Sequence, residues 1–470
     1  MNKQSKLKIA LPKGRLLAET SALLQRAGWG LDGYHEQTRL YHIESKTLAN
    51  LSARVFHEKD IPIQVAIGNY DLGVCGSDWI EELLAKYPSS ALMKVKNLKY
   101  GEGALYAASA GGKATVEALR AKAGTVRIAS EYPNLAESFA INARLRHFSV
   151  FPLWGGAEVY PPESAELALV GGTDGDFPFY QLAPISRVLG VSAFLIANRD
   201  SWKAKELSRM VAPIEKALMP EKATRKSETE KRPPSKAVQY PETDKDVVRL
   251  ALPDGHQQAP TRKLLDKAGI RLDDYPSEKG NRRPRPDLDG VSVKVIRPQD
   301  MPLQVANDNF DLAITGRDWL TEHLCQFPSS PVKELADLKL GRVRVVAVVS
   351  QDRDIADIRD LSESEEERPI RVASEYVNIA DRYARDNRLN RYRLIPTWGA
   401  TEAFLPEDAD LLIENTQTGR TLAQHKLKII DTLFESTACL IGSAGRAASP
   451  LKKERMEYIT KILREAAEEI

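Results

Sequence analysis

The segment DIPIQVAIGNYDLGVCGSDWIEE, Asp60 to Glu82, returns 240 residues further along the chain as DMPLQVANDNFDLAITGRDWLTE, Asp300 to Glu322. Each copy contains a short apolar run that ends in glycine, DLGVCG or DLAITG, and such a run predicts a buried strand. An amphipathic stretch follows each run directly and predicts a helix. A strand that leads straight into a helix is the building unit of α/β folds.

Further repeated segments extend the match in both directions. They are KIALPKG from Lys8 and RLALPDG from Arg249, IASEYPNLAESFA from Ile128 and VASEYVNIADRYA from Val372, and PLWGGAE from Pro152 and PTWGATE from Pro396. The spacing stays near 240–244 residues over almost the whole chain. Because solenoid repeats are only about 20–50 residues long, this pattern indicates the duplication of a complete domain.

A polar segment separates the two copies. MPEKATRKSETEKRPPSKAVQYPETDKD, Met219 to Asp246, is rich in proline and in charges of both signs, which is typical of a solvated linker. We therefore predict a first copy over 1–218, a linker over 219–246 and a second copy over 247–470. Strands alternate with helices within each copy, so the predicted fold class is α/β with mostly parallel sheets. Ligands are then expected at the carboxyl ends of the strands.

Composition excludes several classes of function. The 470 residues are 42% hydrophobic, and 67 Lys plus Arg face 65 Asp plus Glu, so the net charge of +2 gives no reason to expect nucleic acid or a membrane surface as partner. The start, MNKQSKLKIALPKGRL, lacks the apolar stretch of a signal peptide. Three isolated cysteines fit a reducing compartment. We expect a cytoplasmic protein.

The second copy contains a candidate phosphate-binding loop. ENTQTGRTL, Glu414 to Leu422, follows the apolar run LLI and precedes an amphipathic helix. Gly419 permits a tight turn, the threonine hydroxyls can donate hydrogen bonds, and a helix start is electropositive. Glu414 is suited to accept hydrogen bonds from sugar hydroxyls. An ordinary polar strand-to-helix connection is the alternative, because short Gly/Thr loops are common turns.

Several motifs in a fixed order resemble ATP phosphoribosyltransferase, the first enzyme of histidine biosynthesis. Glu414–Leu422 resembles that family's loop for phosphoribosyl pyrophosphate (PRPP), and the other similar segments are LPKGRL at Leu11–Leu16, GGAEVYP at Gly155–Pro161 and RPQDMP at Arg297–Pro302. The resemblance covers both copies almost end to end. It implies two tandem copies of a two-lobed, periplasmic-binding-protein-like (type II) phosphoribosyltransferase core, joined as a covalent pseudo-dimer.

The resemblance also implies a reaction and its partners. The phosphoribosyl group of PRPP would pass to N1 of ATP with release of pyrophosphate, and Mg²⁺ would bind mainly through the substrate phosphates, without a metal-ligand motif in the protein. Each copy resembles the catalytic core of the short form, which works with a partner similar to histidyl-tRNA synthetase. A homo-oligomer of the tandem chain is a further expectation.

Site residues follow from the same resemblance. The catalytic candidates are Glu402, its counterpart Glu158, and Arg297. The substrate-binding candidates are Lys13, Gly14 and Arg15 of the N-terminal loop, and Glu414, Thr416, Gln417, Thr418, Gly419, Arg420 and Thr421 of the PRPP loop. For the two tryptophans of the Trp-Gly turns, Trp154 and Trp398, packing is favoured over stacking on adenine.

The two copies depart from the family pattern at complementary places. In the first copy, LVGGTDGDFPFYQL has Val170 at the position of Glu414, Asp176 at that of Arg420 and Phe177 at that of Thr421. A carboxylate and an aromatic ring at these positions oppose binding of an anion. In the second copy, PDGH replaces the cationic PKGR of the N-terminal loop.

Three hypotheses explain this complementarity. In the first, one composite site per chain holds PRPP on the second copy, while Lys13 and Arg15 of the first copy contact the ATP phosphates. In the second, the second copy catalyses alone. In the third, the chain is a non-catalytic ligand-binding regulator. Transfer to another nitrogenous acceptor also remains open, because the acceptor pocket has no recognisable motif. An exported solute-binding protein is disfavoured by the missing signal peptide.

Overall fold

The chain folds into two compact units, and each unit includes a short segment of the other copy. The computed structural model describes residues 6–37, 40–111, 114–173, 182–205, 207–218, 245–278, 280–362, 368–399, 401–444 and 448–469. Unit 1 takes its described residues from Met1–Pro152, Ala165–Val238 and Trp398–Ala403. Unit 2 takes its described residues from Leu153–Ser164, Gln239–Thr397 and Phe404–Ile470.

Unit 1 is an α/β structure with two sheets. Its strands are β1 (Leu7–Pro12), β2 (His42–Glu44), β3 (Leu51–Phe56), β4 (Leu72–Gly76), β5 (Leu92–Asn97), β6 (Gly103–Ala110), β7 (Val126–Ser130), β8 (Phe148–Pro152), β9 (Leu167–Gly172), β10 (Leu182–Val191) and β11 (Ala193–Asn198). Its helices are α1 (Leu17–Arg26), α2 (Ile61–Ala66), α3 (Ser77–Lys86), α4 (Val116–Ala121), α5 (Pro133–Asn142), α6 (Arg199–Ala204) and α7 (Ser208–Ala217). The sheet orders are β2-β3-β1-β4-β11-β5 in the first lobe and β10-β6-β9-β7-β8 in the second.

The repeated segment forms the centre of the first lobe, as the sequence predicts. β4 is buried along its whole length, and α3 begins at the next residue, Ser77. Pro62 lies in the first turn of α2, where a proline removes no helical hydrogen bond. A Cβ on Gly73 would lie 2.8 Å from Ile61 Cγ2, which is too close for two carbon atoms. The close packing of α2 on β4 therefore requires glycine at position 73.

Unit 2 repeats the same architecture. Its strands are β12 (Val248–Pro253), β13 (Val291–Ile296), β14 (Leu312–Gly316), β15 (Val332–Asp337), β16 (Val343–Ser350), β17 (Ile370–Ser374), β18 (Tyr392–Pro396), β19 (Leu411–Thr416), β20 (Leu427–Ser436) and β21 (Ala438–Ser443). Its helices are α8 (Gln258–Lys267), α9 (Met301–Ala306), α10 (Arg317–Gln326), α11 (Ile358–Ser362), α12 (Val377–Asp386), α13 (Arg420–Gln424) and α14 (Pro450–Glu468). The sheet orders are β13-β12-β14-β21-β15 and β18-β17-β19-β16-β20.

The sheets are mixed, which corrects the expectation of mostly parallel sheets. In the first lobe of unit 2, β12 pairs in parallel with β13 and β14, whereas β21 is antiparallel to β14 and β15. The chain passes from one lobe to the other after β15 and returns after β20. β21, which brings the chain back into the first lobe, runs opposite to β14 and β15. Its pairing with them therefore adds antiparallel pairs to the parallel ones.

Each lobe has its own hydrophobic core. The clusters in unit 1 include Ile9 and Val74 in the first lobe and Ile128 and Leu169 in the second. The corresponding clusters in unit 2 centre on β12 and β14 in one lobe and on β16, β17 and β19 in the other. Because each lobe has its own sheet and its own core, each unit is a two-lobed body, and the predicted α/β fold with two tandem two-lobed copies is confirmed.

The boundaries of the units differ from those of the sequence copies. Leu153–Ser164 belongs to the first copy and lies in unit 2, whereas Trp398–Ala403 belongs to the second copy and lies in unit 1. These are equivalent turns of the two copies. Most of the predicted linker, residues 219–244, falls outside the described part of the chain, as do Asp176 and Phe177. The copy and linker boundaries therefore stay predictions.

Candidate active site

The candidate phosphate-binding loop joins β19 to α13 in unit 2. The strand ends at the buried Thr416, whose hydroxyl accepts a hydrogen bond from the Gly419 N–H at 2.9 Å. Gly419 has φ 75° and ψ 1°, a left-handed conformation that glycine adopts without steric cost. The Arg420 N–H lies 3.4 Å from Thr418 Oγ1. These contacts fold the segment into one tight turn at the carboxyl end of β19.

The outer side of this turn is open and rich in hydrogen-bond donors. Gln417, Thr418, Arg420 and Thr421 are at least partly exposed. A Cβ placed on Gly419 would have no heavy atom within 4 Å, so the space next to the turn is free. Hydroxyl, amide and guanidinium groups around a free space are suited to bind a phosphate, with the guanidinium supplying charge-assisted hydrogen bonds.

Glu414 lies on β19 just before the turn. Its Oε1 accepts a hydrogen bond from the Asn415 N–H at 3.2 Å, and the side chain of Asn415 donates to the Tyr376 hydroxyl at 2.7 Å. A partly buried carboxylate beside a phosphate-binding turn is suited to accept hydrogen bonds from the hydroxyls of a sugar phosphate. The sequence motif identified Glu414 but not its neighbours Asn415 and Tyr376.

The first-copy segment Leu153–Ser164 brings further candidate residues into unit 2. The Trp154 N–H donates to Asp300 Oδ1 at 2.9 Å. A Cβ on Gly155 would lie 3.2 Å from Arg297 Nε, so this glycine packs against the Arg297 side chain. Glu158 pairs with Arg282 at 3.3 Å. Glu158 and Arg297, which come from different copies, therefore lie in the same unit.

Asp254 stands between two arginines at the carboxyl end of β12. Its Oδ2 lies 2.9 Å from Arg282 Nη1 and 3.4 Å from Arg297 Nη1. Burial alone would raise the pKa of Asp254, but the charges of Arg282 and Arg297 outweigh burial and lower it. In the sequence, Asp254 marks the loss of the cationic N-terminal loop, because PDGH stands where the first copy has PKGR. In the structure it orients two cations, of which Arg282 was missed because NRRPRP matches no motif.

The N-terminal loop and Glu402 lie in unit 1. Gly14 is exposed with φ 86°, and Lys13 is partly exposed. The Arg15 guanidinium donates to Glu58 at 2.8 and 2.9 Å and to Asp78 at 2.7 and 2.9 Å. Glu402 lies in the 3-10 turn Thr401–Phe404 and is partly buried. Two carboxylates thus already surround the charge of Arg15.

The structure divides the candidate residues between the units. Unit 2 holds Glu158, Arg297, Glu414 and the turn Thr416–Thr421, and unit 1 holds Lys13, Gly14, Arg15 and Glu402. Trp154 lies edge-on to Trp319, with ring centroids 5.6 Å apart, and is part of an aromatic cluster in unit 2. A site that combines residues of both units remains a prediction.

Two classes of feature are missing from the described residues. Among them, no group of three or more His, Cys, Asp or Glu side chains is arranged to hold a metal ion. Within the same part of the chain, no helix combines the length and the apolar character needed to cross a membrane. The cytoplasmic location inferred from the sequence stays a prediction.

A family model described as ATP phosphoribosyltransferase matches residues 57–218 and 297–465, which is more than half of the chain and includes both copies. The chain belongs to the ATP phosphoribosyltransferase family. It is a glycosyltransferase of the phosphoribosyl class, and its reaction is the first step of histidine biosynthesis. The two tandem cores expected from the resemblance are confirmed by the two matched segments.

Individual ATP phosphoribosyltransferases match about half of the chain. The enzyme of Chlorobaculum parvum is 33% identical over 225 residues, 47% of this chain and 71% of that protein. The enzyme of Thermodesulfovibrio yellowstonii is 32% identical over 225 residues, 47% of this chain and 72% of that protein. Among solved structures, a chain of the ATP phosphoribosyl transferase (HisG:HisZ) complex from Thermotoga maritima matches with 22% sequence identity and a TM-score of 0.39. The match covers 48% of this chain and 100% of the Thermotoga maritima chain.

Proposed function

We propose that the chain transfers the phosphoribosyl group of PRPP to N1 of ATP at one site per chain, and that PRPP binds in unit 2. The observation that carries this proposal is the asymmetry of two equivalent strands. β19 presents Glu414 and leads into the open, donor-rich turn Thr416–Thr421. β9 of unit 1 has the buried Val170 at the position of Glu414. A valine side chain accepts no hydrogen bond from a ribose.

The residues of unit 2 supply the roles that this reaction needs. The turn Thr416–Thr421 holds the 5′-phosphate, and Glu414 accepts hydrogen bonds from the ribose hydroxyls. Arg297 compensates the charge of the leaving pyrophosphate, because a guanidinium forms bidentate bonds to phosphate oxygens. Glu158 of unit 2, the counterpart of Glu402 in unit 1, stabilises the positive charge that develops on the sugar. Catalysis then rests on positioning and electrostatic stabilisation, without a covalent nucleophile.

Two further components belong to the proposal. The oxygen donors of Glu414 and of the loop threonines are of the type that Mg²⁺ prefers, and Mg²⁺ bound to the phosphates would neutralise part of their charge. Lys13, whose partly exposed side chain lies in unit 1, is proposed to contact the ATP phosphates. A partner similar to histidyl-tRNA synthetase is proposed to activate the chain, and its addition to the assay tests this point.

The decisive experiment is product formation by the purified chain with PRPP, ATP and Mg²⁺, followed by mass spectrometry. We expect phosphoribosyl-ATP from the wild type and a loss of at least about a hundredfold in Glu414→Ala, because the ribose loses its acceptor. Val170→Ala changes the equivalent position of unit 1 and is the matched control, expected to keep most of the activity. Lys13→Ala is expected to raise the KM for ATP more than that for PRPP.

Other outcomes would change the proposal. A wild type that binds PRPP but forms no product, with or without the partner, would contradict catalysis. Product formed with another nitrogenous acceptor and not with ATP would contradict ATP as the acceptor. Equal activity of Glu414→Ala and wild type would show that PRPP binds elsewhere.

A further inference from the structure

We propose that Asn415 is a positioning residue for the PRPP loop, and that Tyr376 and Asp318 hold it through a buried chain of hydrogen bonds joining the two lobes of unit 2. This inference rests on the proposed function of Glu414 and the turn that follows it. Asn415 itself is not expected to touch the substrate, because its side chain is engaged by the protein.

The hydrogen bonds of this chain have a fixed direction. Asp318 Oδ2 accepts a hydrogen bond from the Tyr376 hydroxyl, because an ionised carboxylate can only accept. The phenol has no second proton, so its oxygen accepts from Asn415 Nδ2 at 2.7 Å. Asp318 Oδ1 accepts from the Ser436 hydroxyl at 2.9 Å. Tyr376 and Ser436 are 1% exposed and Asp318 is 5% exposed, so water does not compete for these bonds.

The other three residues of this hydrogen-bonded chain lie at points where the lobes of unit 2 meet. Asp318 is in the first turn of α10, in the first lobe. Tyr376 directly precedes α12, in the second lobe. Ser436 ends β20, just before the chain returns to the first lobe in β21. The hydrogen-bonded chain thus connects the end of β19 to both lobes and to the segment between β20 and β21, where the chain returns to the first lobe.

Asn415 transmits this constraint to the residue proposed to bind ribose. Its N–H lies 3.2 Å from Glu414 Oε1, while its side chain is held by Tyr376. Successive side chains of a strand point to opposite faces, so fixing Asn415 on one face also sets where Glu414 emerges on the other. A leucine at position 415 would leave the Tyr376 hydroxyl without a donor and free the end of β19 to move.

Unit 1 provides a natural comparison. The Tyr132 hydroxyl donates to Asp78 Oδ2 at 2.9 Å, as Tyr376 does to Asp318. The position equivalent to Asn415 is Gly171, which has no side-chain donor. Asp78 instead forms an ion pair with Arg15, whose Nη2 lies 2.7 Å from Asp78 Oδ2. The connection to the strand end is therefore present in the copy with the intact PRPP loop and missing in the copy with the degenerate loop.

The test measures the KM for PRPP, the KM for ATP and the calorimetric Kd for PRPP in Asn415→Leu, Tyr376→Phe and the double variant. Tyr132→Phe is the matched control. We expect each single variant to raise the KM and the calorimetric Kd for PRPP about tenfold, because a buried polar group loses its partner. The KM for ATP should change less than about twofold. The double variant should match the weaker-binding single variant, because both substitutions break one connection. Tyr132→Phe should leave PRPP binding unchanged.

Several results would overturn the inference while leaving the proposed function intact. One is an affinity of Asn415→Leu for PRPP equal to that of the wild type. Another is a loss of PRPP affinity in Tyr132→Phe as large as that in Tyr376→Phe. A third is a lower melting temperature of Asn415→Leu or Tyr376→Phe with the KM values for both substrates unchanged. Equal losses for PRPP and ATP would indicate a general structural role and would also overturn it. A wild type that binds no PRPP by calorimetry would contradict the proposed function itself.

Discussion

Gly419 is the residue on which the shape of the proposed PRPP loop, Glu414–Leu422, depends most directly. Its φ of 75° is unfavourable for any residue with a Cβ, at a cost of about 1–2 kcal/mol. Because a Cβ would meet no neighbour within 4 Å, this cost is one of backbone conformation and not of collision. We expect Gly419→Ala to weaken PRPP binding roughly tenfold, measured by calorimetry.

A second glycine with the same backbone geometry is the control. Gly269 follows α8 in unit 2 and has φ 78°, and a Cβ at this position would also have no heavy atom within 4 Å. Gly269→Ala should lower the free energy of unfolding by a similar amount and leave PRPP binding unchanged. Equal PRPP affinities for the two alanine variants would show that the left-handed turn at Gly419 does not shape the binding loop.

At the scale of elements, Glu163 fixes the segment Leu153–Ser164 in unit 2. Its carboxylate accepts from Arg283 at 2.7 Å and lies 2.8 Å from Lys294 Nζ. Burial alone would raise the pKa of Glu163, but the hydrogen bonds from Arg283 and the charge of Lys294 outweigh burial and lower it to about 2. The ionised carboxylate therefore stabilises the folded state fully above its usual pKa of 4.5, and this contribution is lost as the pH falls towards 2.

We expect Glu163→Gln to lower the free energy of unfolding by about 3 kcal/mol at pH 7, because the Arg283 guanidinium and the Lys294 amine lose their common partner. The difference from wild type should shrink as denaturant titrations are repeated between pH 4.5 and 2. Glu44→Gln removes an exposed pair with Lys6 and should leave the unfolding transition in place at every pH. A difference between Glu163→Gln and wild type that stays constant with pH would contradict the ion pair as its cause.

At the scale of the whole molecule, we expect one PRPP per chain. Unit 1 has a cleft of about 300 Å³ lined by residues that include Arg15, Asp78 and Tyr132. The lining carboxylates Asp78 and Glu102 outnumber Arg15 in charge, and carboxylates around a cleft oppose the binding of a polyanion. Calorimetry should therefore give a stoichiometry near one, and Glu414→Ala should abolish binding. A stoichiometry of two, or half the heat remaining in Glu414→Ala, would show that unit 1 also binds PRPP.

Repetition and hydrophobic period were sufficient to predict the strand and helix units and the two copies. The assignment of Glu414–Leu422 to PRPP came from the family resemblance and stays a prediction. They were insufficient for features that depend on distant contacts. Glu163 and Arg283 are 120 positions apart, and Asn415 and Tyr376 are 39 apart, so no local pattern connects them. The role of Asp254 was equally hidden, because its meaning depends on Arg282 beside it. The assignment of Leu153–Ser164 to unit 2 follows from such contacts.

The placement of Leu153–Ser164 and Trp398–Ala403 has a consequence for how the protein is made. Domains generally fold one after another as they leave the ribosome, the N-terminal one first. Unit 1 contains Trp398–Ala403, so it lacks a segment until most of the second copy has been translated. The nascent first copy must meanwhile keep Leu153–Ser164 available for a unit that is not yet synthesised. Covalent linkage of the copies raises the effective concentration of each segment near the unit that needs it, which favours placement within the same chain.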